Sequence, residues 1–176
     1  KDIEKTREYF NKSVDFAINF LNKNHGSPFF LACGLFRPHL PWYVPQKYFD
    51  LYSLDEVQLP KILETDLDDV PVQGKKWGRA RQKDFLTIKK ESKYKEAVQA
   101  YLASISFADA QIGRLLKALN QSPYAHNTII VFWSDHGWHL GEKGHWHKST
   151  LWEEATRVPF IISGPDVKPA VYKLPV

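Results

Sequence analysis

The chain has 176 residues and a mass of 20.4 kDa, the size of one ordinary domain and enough to bury a substantial core. Hydrophobic residues make up 43% and charged residues 25% of the sequence, which excludes an intrinsically disordered chain. The single cysteine excludes an intrachain disulfide framework, and no apolar run reaches the length of a membrane span. The net charge of +4 permits an acidic or polyanionic ligand but does not require one.

The first elements in chain order are predicted to be a helix and a buried strand. Apolar residues recur at three- and four-residue steps over residues 3–23, which indicates an amphipathic helix. Gly26 and Pro28 follow it and are typical of a helix end. The continuous apolar run 29–35 is typical of a central strand in a parallel sheet. This run contains Cys33, which we interpret as a buried and inert thiol.

Prolines interrupt the pattern in the middle of the chain. They occur throughout residues 36–71 and prevent long regular elements there, although a short helix is expected within residues 44–51. Residues 52–92 are interpreted as a long irregular excursion over the surface. Long excursions of this kind in compact domains are often functional.

The second half of the chain returns to regular elements. An apolar stripe over residues 93–120 predicts the longest helix, and residues 128–133 predict a second buried strand. A helical turn near residues 152–156 and a short strand over residues 158–163 follow. Helices that alternate with buried strands predict an α/β fold, in which a layered sheet carries helices on both faces.

Asp135 and His136 follow the predicted strand 128–133 after a single residue, Ser134. Ligand sites in open α/β sheets lie at the carboxyl ends of strands. A carboxylate beside an imidazole suits a divalent cation, because oxygen favours Ca²⁺ or Mg²⁺ and imidazole also admits Zn²⁺ or Mn²⁺. Two ligands do not complete a site, so the pattern leaves two interpretations open, a partial metal site and a pair of side chains that cap a turn.

Lys148 and His39 are further candidate site residues. Lys148 lies far enough beyond His136 for the intervening loop to return and bring the ammonium near a bound ion, where it would hold an anionic ester group. His39 follows the first predicted strand and lies between Pro38 and Pro41, which suits a general acid or a donor to an anion. The alternative for His39 is simple packing within an irregular loop.

The loop that holds Lys148 is rich in histidine and tryptophan. The tryptophans indicate a packed loop, so we expect at most one or two of its imidazoles to take part in chemistry. The histidines are His136, His139, His145 and His147.

Basic residues are concentrated over residues 75–95, and the simplest interpretation is a solvated surface. No helix-turn-helix, zinc-finger or RNA-binding signature accompanies them, so nucleic acid is not an expected partner.

Several stretches together resemble the sulfatase family of the alkaline phosphatase superfamily, and within it the branch of iduronate-2-sulfatase and its bacterial relatives. They occur in the family's order and span most of the chain. The stretches are residues 28–34 with 37–41, residues 101–109 with 112–116, residues 134–148 and residues 154–160.

This resemblance implies an alkaline phosphatase-like fold and the hydrolysis of a sulfate ester, with a sulfated small molecule or glycan as substrate. Asp135 and His136 match ligands of the metal, which in this family is usually Ca²⁺, with Mg²⁺, Mn²⁺ or Zn²⁺ as less favoured alternatives. Lys148 matches the lysine that binds the sulfate group. His39 matches the active-site histidine that faces the ester oxygen. Periplasmic, secreted or lysosomal location is the family's expectation.

One departure from the family concerns the nucleophile, a formylglycine made from the first residue of a Cys/Ser-x-Pro/Ala-x-Arg motif. Cys33 is followed by Gly34, Leu35 and Phe36 and does not match it. The resemblance thus implies that residues 1–176 are the middle and later part of one catalytic domain. Consistent with the absence of Met, we expect the first strands, further metal ligands and the formylglycine to precede Lys1, and the chain alone to be inactive.

Three alternatives remain open at this point. A phosphonate monoester or phosphodiester hydrolase of the same superfamily would share the Asp-His-Gly strand end. A non-catalytic module could bind a polyanion through the basic residues 75–95 without a metal. A degraded pseudoenzyme would also lack the nucleophile.

Overall fold

The computed structural model describes the backbone of residues 3–79 and 82–171, and side chains within residues 12–78 and 82–171. Two long helices, Ile3–Leu21 and Tyr94–Asn120, combine with short helices and short strands in a mixed α/β arrangement. In order, the elements are α1 Ile3–Leu21, α2 Gln46–Phe49, α3 Val72–Arg79, α4 Gln82–Lys90, α5 Tyr94–Asn120, β1 Ile130–Trp133, β2 His139–Leu140, a 3-10 turn Glu142–Gly144, β3 Trp146–His147, α6 Glu153–Thr156 and β4 Phe160–Ser163.

Helices α1 and α5 confirm the two long helices that the apolar periodicity predicts. They pack against each other, and α1 buries Val14, Ala17 and Leu21 along one face. Arg114 of α5 donates to Asp15 of α1 over 2.6 Å at the edge of this contact. Amphipathic periodicity is a local property, which is why these helices can be predicted without tertiary information.

The strands β1 and β4 confirm the predictions near residues 128–133 and 158–163, but they are not buried on both faces. They pair antiparallel, with Ile130 opposite Ser163 and Trp133 opposite Phe160. Residues along β1 alternate between half-buried and exposed, and every residue of β4 is exposed. The expectation that strand 128–133 is buried is wrong, because within the described residues β1 has one partner strand and every second side chain along it stays exposed.

The predicted strand over residues 29–35 is a second correction. These residues are extended, but none of the described residues pairs with them as a strand. Alternate side chains are half-buried and exposed, and Phe30 is 91% exposed. A β-strand requires a neighbouring backbone for its hydrogen bonds, and a local apolar pattern cannot supply that neighbour.

Residues 52–92 are only partly irregular, which corrects the expectation of an irregular excursion. Helices α3 and α4 lie within them. Helix α4 forms because Phe85, 3% exposed, packs in a cluster with Val57, Val98 and Trp146. The short helix expected within residues 44–51 is confirmed as α2, which Pro45 precedes.

Helix α5 contributes to two buried clusters and so connects the parts of the core. One cluster joins it to α2 through Tyr48 and Phe107, and the other joins it to α4 and to β3 through Trp146. Within the described residues no helix has the length and apolarity needed to cross a bilayer.

Trp146 is expected to be a principal stabilising residue, because it is 1% exposed and packs on Phe85, Tyr94 and Trp42. Trp146→Ala should lower the free energy of unfolding of the full-length protein by about 3–5 kcal/mol. Trp77→Ala is the matched control, because Trp77 is 55% exposed. Denaturant unfolding measures both, and equal effects of the two substitutions would contradict the assigned core.

Candidate functional site

Asp135 and His136 lie one residue beyond the end of β1, where the chain leaves the sheet. The Asp135 carboxylate oxygen Oδ2 is 3.5 Å from Nε2 of His136. The Asp135 side chain is 82% exposed and that of His136 is 22% exposed, so both reach solvent from one short segment. A carboxylate and an imidazole nitrogen therefore face the same space at the end of the strand.

A backbone contact determines which nitrogen of His136 presents a lone pair. Nδ1 is 2.8 Å from the carbonyl oxygen of Gly137, and this oxygen can only accept a hydrogen bond. Nδ1 must therefore carry the proton, and the neutral ring presents its lone pair at Nε2. A backbone carbonyl that fixes the tautomer in this way is typical of histidines that bind metals.

Lys148 returns to this same nitrogen. Its ammonium Nζ donates to Nε2 of His136 over 2.8 Å. The pairing of β2 with β3, in which His139 lies opposite His147, folds the intervening loop back toward β1. The structure thus brings together the residues that the loop pattern predicted to meet.

The backbone on both sides of Lys148 is in the left-handed region. His147 and Ser149 each have φ of 78°, a conformation that is costly for residues other than glycine. Such positions persist only where the surrounding contacts overdetermine them, and they are concentrated at functional sites. The Lys148 main chain is therefore held in one conformation by its surroundings.

Gly137 allows the site segment to lie against α6. Its N–H donates to the Ala155 carbonyl over 2.8 Å. A Cβ at position 137 would overlap the carbonyl oxygen of Glu154, so the approach requires glycine. This contact fixes the direction of the chain immediately after His136.

His39 lies beside the same group of residues. Its ring centroid is 6.1 Å from that of His136 and 5.3 Å from that of the buried Trp138, which is itself 6.2 Å from that of His136. Nδ1 of His39 is 2.8 Å from the Leu40 carbonyl oxygen, which leaves Nε2 as the nitrogen available to another group. The peptide bonds before Pro38 and Pro41 are both cis.

Arg37 supports the loop that carries His39, a role that sequence reasoning missed. Arg37 is 4% exposed and donates to the carbonyl oxygens of His39 over 3.0 Å and Tyr43 over 3.3 Å. Burial lowers the pKa of Arg37 to about 10, so the guanidinium remains charged at neutral pH. The available signal was an arginine directly before the Pro-His-Leu-Pro sequence.

The other histidines of the loop have different partners from those of His136. His139 and His145 are each 0% exposed, and their ring centroids are 4.8 Å apart. His147 faces Asp84 of α4, with Nε2 3.0 Å from the carboxylate. Among the loop histidines, His136 alone contacts the Lys148 ammonium in the hydrogen bonds described.

Cys33 is half-buried, and burial raises the pKa of its thiol. A thiol with a raised pKa is largely protonated at neutral pH and is a poor nucleophile. This agrees with the interpretation of Cys33 as inert, while its burial is less complete than expected.

The basic residues 75–95 are distributed over α3, α4 and the start of α5. Several of them have local partners: Lys75 donates to the Asp68 carbonyl, and Lys93 pairs with Glu96 over 2.8 Å. Such contacts are consistent with a solvated surface.

Asp135 and His136 are suitable ligands for a divalent cation but do not form a complete set. Among the described side chains, those of residues 12–78 and 82–171, no group of three or more His, Cys, Asp or Glu is arranged to hold a metal ion. The chemistry of the pair nevertheless fits, since an exposed carboxylate and an oriented imidazole lone pair lie within 3.5 Å.

Comparison with known proteins identifies the class. The sequence model of the Sulfatase family matches residues 4–176. The chain is 48% identical over 158 residues to a sulfatase of Formosa agariphila, covering 89% of this chain and 31% of that protein. It is 38% identical over 165 residues to the iduronate 2-sulfatase of Homo sapiens, covering 88% and 30% respectively. The solved phosphonate monoester hydrolase of Silicibacter pomeroyi superposes with a TM-score of 0.72 at 26% identity, over 89% of this chain and 33% of that one.

The fold is therefore of the alkaline phosphatase-like α/β class, as predicted. The chain belongs to the sulfatase family. It spans 30–31% of the length of the two curated relatives compared above.

His139 should make stability depend on pH. Burial, followed by the charge of His145, lowers the pKa of His139 to about 4, below the value of about 6.5 expected in the unfolded chain. The unfolded state then binds the proton more tightly, so folding stability falls as pH decreases from about 6.5 toward 4. The loss is at most about 3 kcal/mol.

Unfolding of the full-length protein measured across this pH range tests the effect. His139→Gln can keep a donor toward Thr150 but does not titrate, so its stability should depend less steeply on pH. His126→Gln, at an exposed loop position, is the control and should follow the wild type. Identical pH profiles for His139→Gln and the wild type would contradict the assignment.

Proposed function

We propose that the protein carrying this chain is a metal-dependent sulfuric ester hydrolase and that this chain supplies part of its active site. One observation carries the proposal: the Lys148 ammonium lies 2.8 Å from Nε2 of His136, next to the Asp135 carboxylate. His39 lies beside them, with its ring centroid 6.1 Å from that of His136. A cationic side chain beside metal-type ligands is suited to an anionic ester.

Asp135 and the Nε2 atom of His136 are the residues proposed to hold the cation, with Ca²⁺ preferred over Mg²⁺, Mn²⁺ or Zn²⁺. When bound, the ion supplies Lewis-acid stabilisation of charge on the sulfate oxygens. The Lys148 ammonium and a cation would use the same lone pair of His136. Occupation of Nε2 by a cation would therefore release Lys148 to donate to an anionic oxygen.

Lys148 is proposed to bind the sulfate group and to stabilise its developing charge. An ammonium donates charge-assisted hydrogen bonds, and these are strongest in a site partly shielded from water. Lys148 is half-buried, which favours such an interaction. Its main chain is fixed by left-handed neighbours, so little ordering is needed when substrate binds.

His39 is proposed to donate a proton to the leaving alcohol. Its Nδ1 donates to the Leu40 carbonyl, which orients the ring and leaves Nε2 for the ester oxygen. In the protonated ring Nε2 carries the proton that a leaving group requires. Arg37 donates to the His39 carbonyl and so fixes the main chain that positions the His39 ring.

The nucleophile is proposed to be the family's formylglycine, supplied by sequence outside residues 1–176, so that this chain alone is inactive. A sulfated carbohydrate is the proposed substrate, since a relative at 38% identity is an iduronate 2-sulfatase. Hydrolysis of a phosphonate monoester or phosphodiester is the second candidate. It is supported by the TM-score of 0.72 with a phosphonate monoester hydrolase.

Turnover of an aryl sulfate and of an aryl phosphodiester by the full-length protein distinguishes these two functions. The sulfate should have the larger kcat/KM. Lys148→Ala should lower this value by about 10²–10³-fold, because a donor to the developing charge is lost. His126→Ala is the control at an exposed loop position and should match the wild type.

Equal or greater turnover of the phosphodiester would favour the second candidate. Unchanged sulfate turnover in Lys148→Ala would contradict the proposed role of the lysine.

A further inference from the structure

His145 is a buried ring that connects the Lys148 main chain to helix α3. It is 0% exposed. Its Nδ1 lies 2.8 Å from the Gly78 carbonyl oxygen, and its Nε2 lies 2.8 Å from the Lys148 carbonyl oxygen. One imidazole thus bridges two segments that are far apart in sequence.

Both contacts of His145 are with atoms that only accept hydrogen bonds. A neutral ring has one N–H and satisfies one of the two carbonyls, whereas the protonated ring satisfies both. A buried carbonyl without a donor is costly, so this arrangement constrains the position of each partner. The two nitrogens therefore contact different segments: Nδ1 faces the Gly78 carbonyl of α3, and Nε2 faces the Lys148 carbonyl.

The α3 end of this bridge is itself well fixed. Gly78 lies in the last turn of α3, where carbonyl groups lack partners within the helix. A Cβ at position 78 would overlap the ring of Trp152, so the helix end packs closely against that side chain. The Gly78 carbonyl is consequently held in a fixed position, and its contact with Nδ1 orients the His145 ring.

The segment after Lys148 is held by the neighbouring buried histidine. Nε2 of His139 lies 2.7 Å from the hydroxyl of Thr150. Residues 147 and 149, on either side of Lys148, both have φ of 78°. Two buried imidazoles thus hold a strained stretch of backbone whose central side chain points to His136.

We propose that His145 is a positioning residue for Lys148: by donating from Nε2 to the Lys148 carbonyl, it holds the main chain so that the ammonium reaches its site. This inference rests on the sulfate-binding role proposed for Lys148. It also connects α3, within residues 52–92, to the site, because the Gly78 carbonyl of that helix accepts from Nδ1 of His145. A displacement of about 1 Å of a group in the site can cost about 10²-fold in rate.

Three substitutions of His145 in the full-length protein separate positioning from packing. His145→Gln can place an amide N–H near the position of Nε2 and keep the bond to Lys148. His145→Asn can place one near the position of Nδ1 and keep the bond to Gly78 instead. His145→Met matches Gln in length but has no donor. Aryl sulfate kcat and KM and the Tm are measured for each.

The Gln variant is expected to retain kcat/KM within about threefold of the wild type. The Asn and Met variants should lose about 10-fold or more, although Gln and Asn each keep a donor toward one of the two carbonyls and should have similar Tm values. Should Asn fail to fold, the comparison of Gln with Met carries the test. Equal losses in Gln and in the donor-free Met, or no loss in any variant, would overturn the proposal.

Lys148→Ala, alone and combined with His145→Asn, distinguishes this inference from the proposed function. If His145 acts through Lys148, the Asn substitution should cost less than about twofold once Lys148 is absent. An undiminished loss in the double variant overturns the positioning role while leaving the function intact. Wild-type activity in Lys148→Ala alone rejects the sulfate-binding role proposed for Lys148, and the positioning role falls with it.

Discussion

Burial of Trp146 is the constraint on which the site loop depends. Trp146 is 1% exposed and joins β3 to α4 and α5 in one apolar cluster. His145 and His147 flank it, and Lys148 follows two residues later. With the indole fixed in the core, His145, His147 and Lys148 are held near their partners. These partners are Gly78, Asp84 and His136, respectively. The polar side chains of the site thus belong to a loop that the buried Trp146 holds in place.

The electrostatic centre of the site is one nitrogen lone pair. The Gly137 carbonyl holds the proton of His136 on Nδ1, which leaves Nε2 for a cationic partner. In this structure that partner is the Lys148 ammonium. The proposed function assigns the same atom to a metal ion and the released ammonium to the sulfate group. In that proposal, a cation would replace the Lys148 ammonium at Nε2 of His136, and the ammonium would then be available to the substrate.

Residue spacing predicted those elements whose formation depends mainly on residues close together in sequence. The stripe along α5 and the position of Asp135 and His136 after β1 could be read from residue spacing. Helix α4 could not, because it depends on the burial of Phe85 against Trp146. The paired strand expected over residues 29–35 was wrong because pairing requires a distant partner. The bridge through His145 joins residues far apart in sequence, and spacing gives no signal for it.

Calorimetric titration of the full-length protein with Ca²⁺ tests the shared lone pair most directly. His136→Ala should weaken binding, whereas Lys148→Met should strengthen it, because the ammonium that competes for Nε2 is removed. His126→Ala is the control and should bind as the wild type does. Unchanged affinity in His136→Ala, or weaker binding in Lys148→Met, would contradict the account.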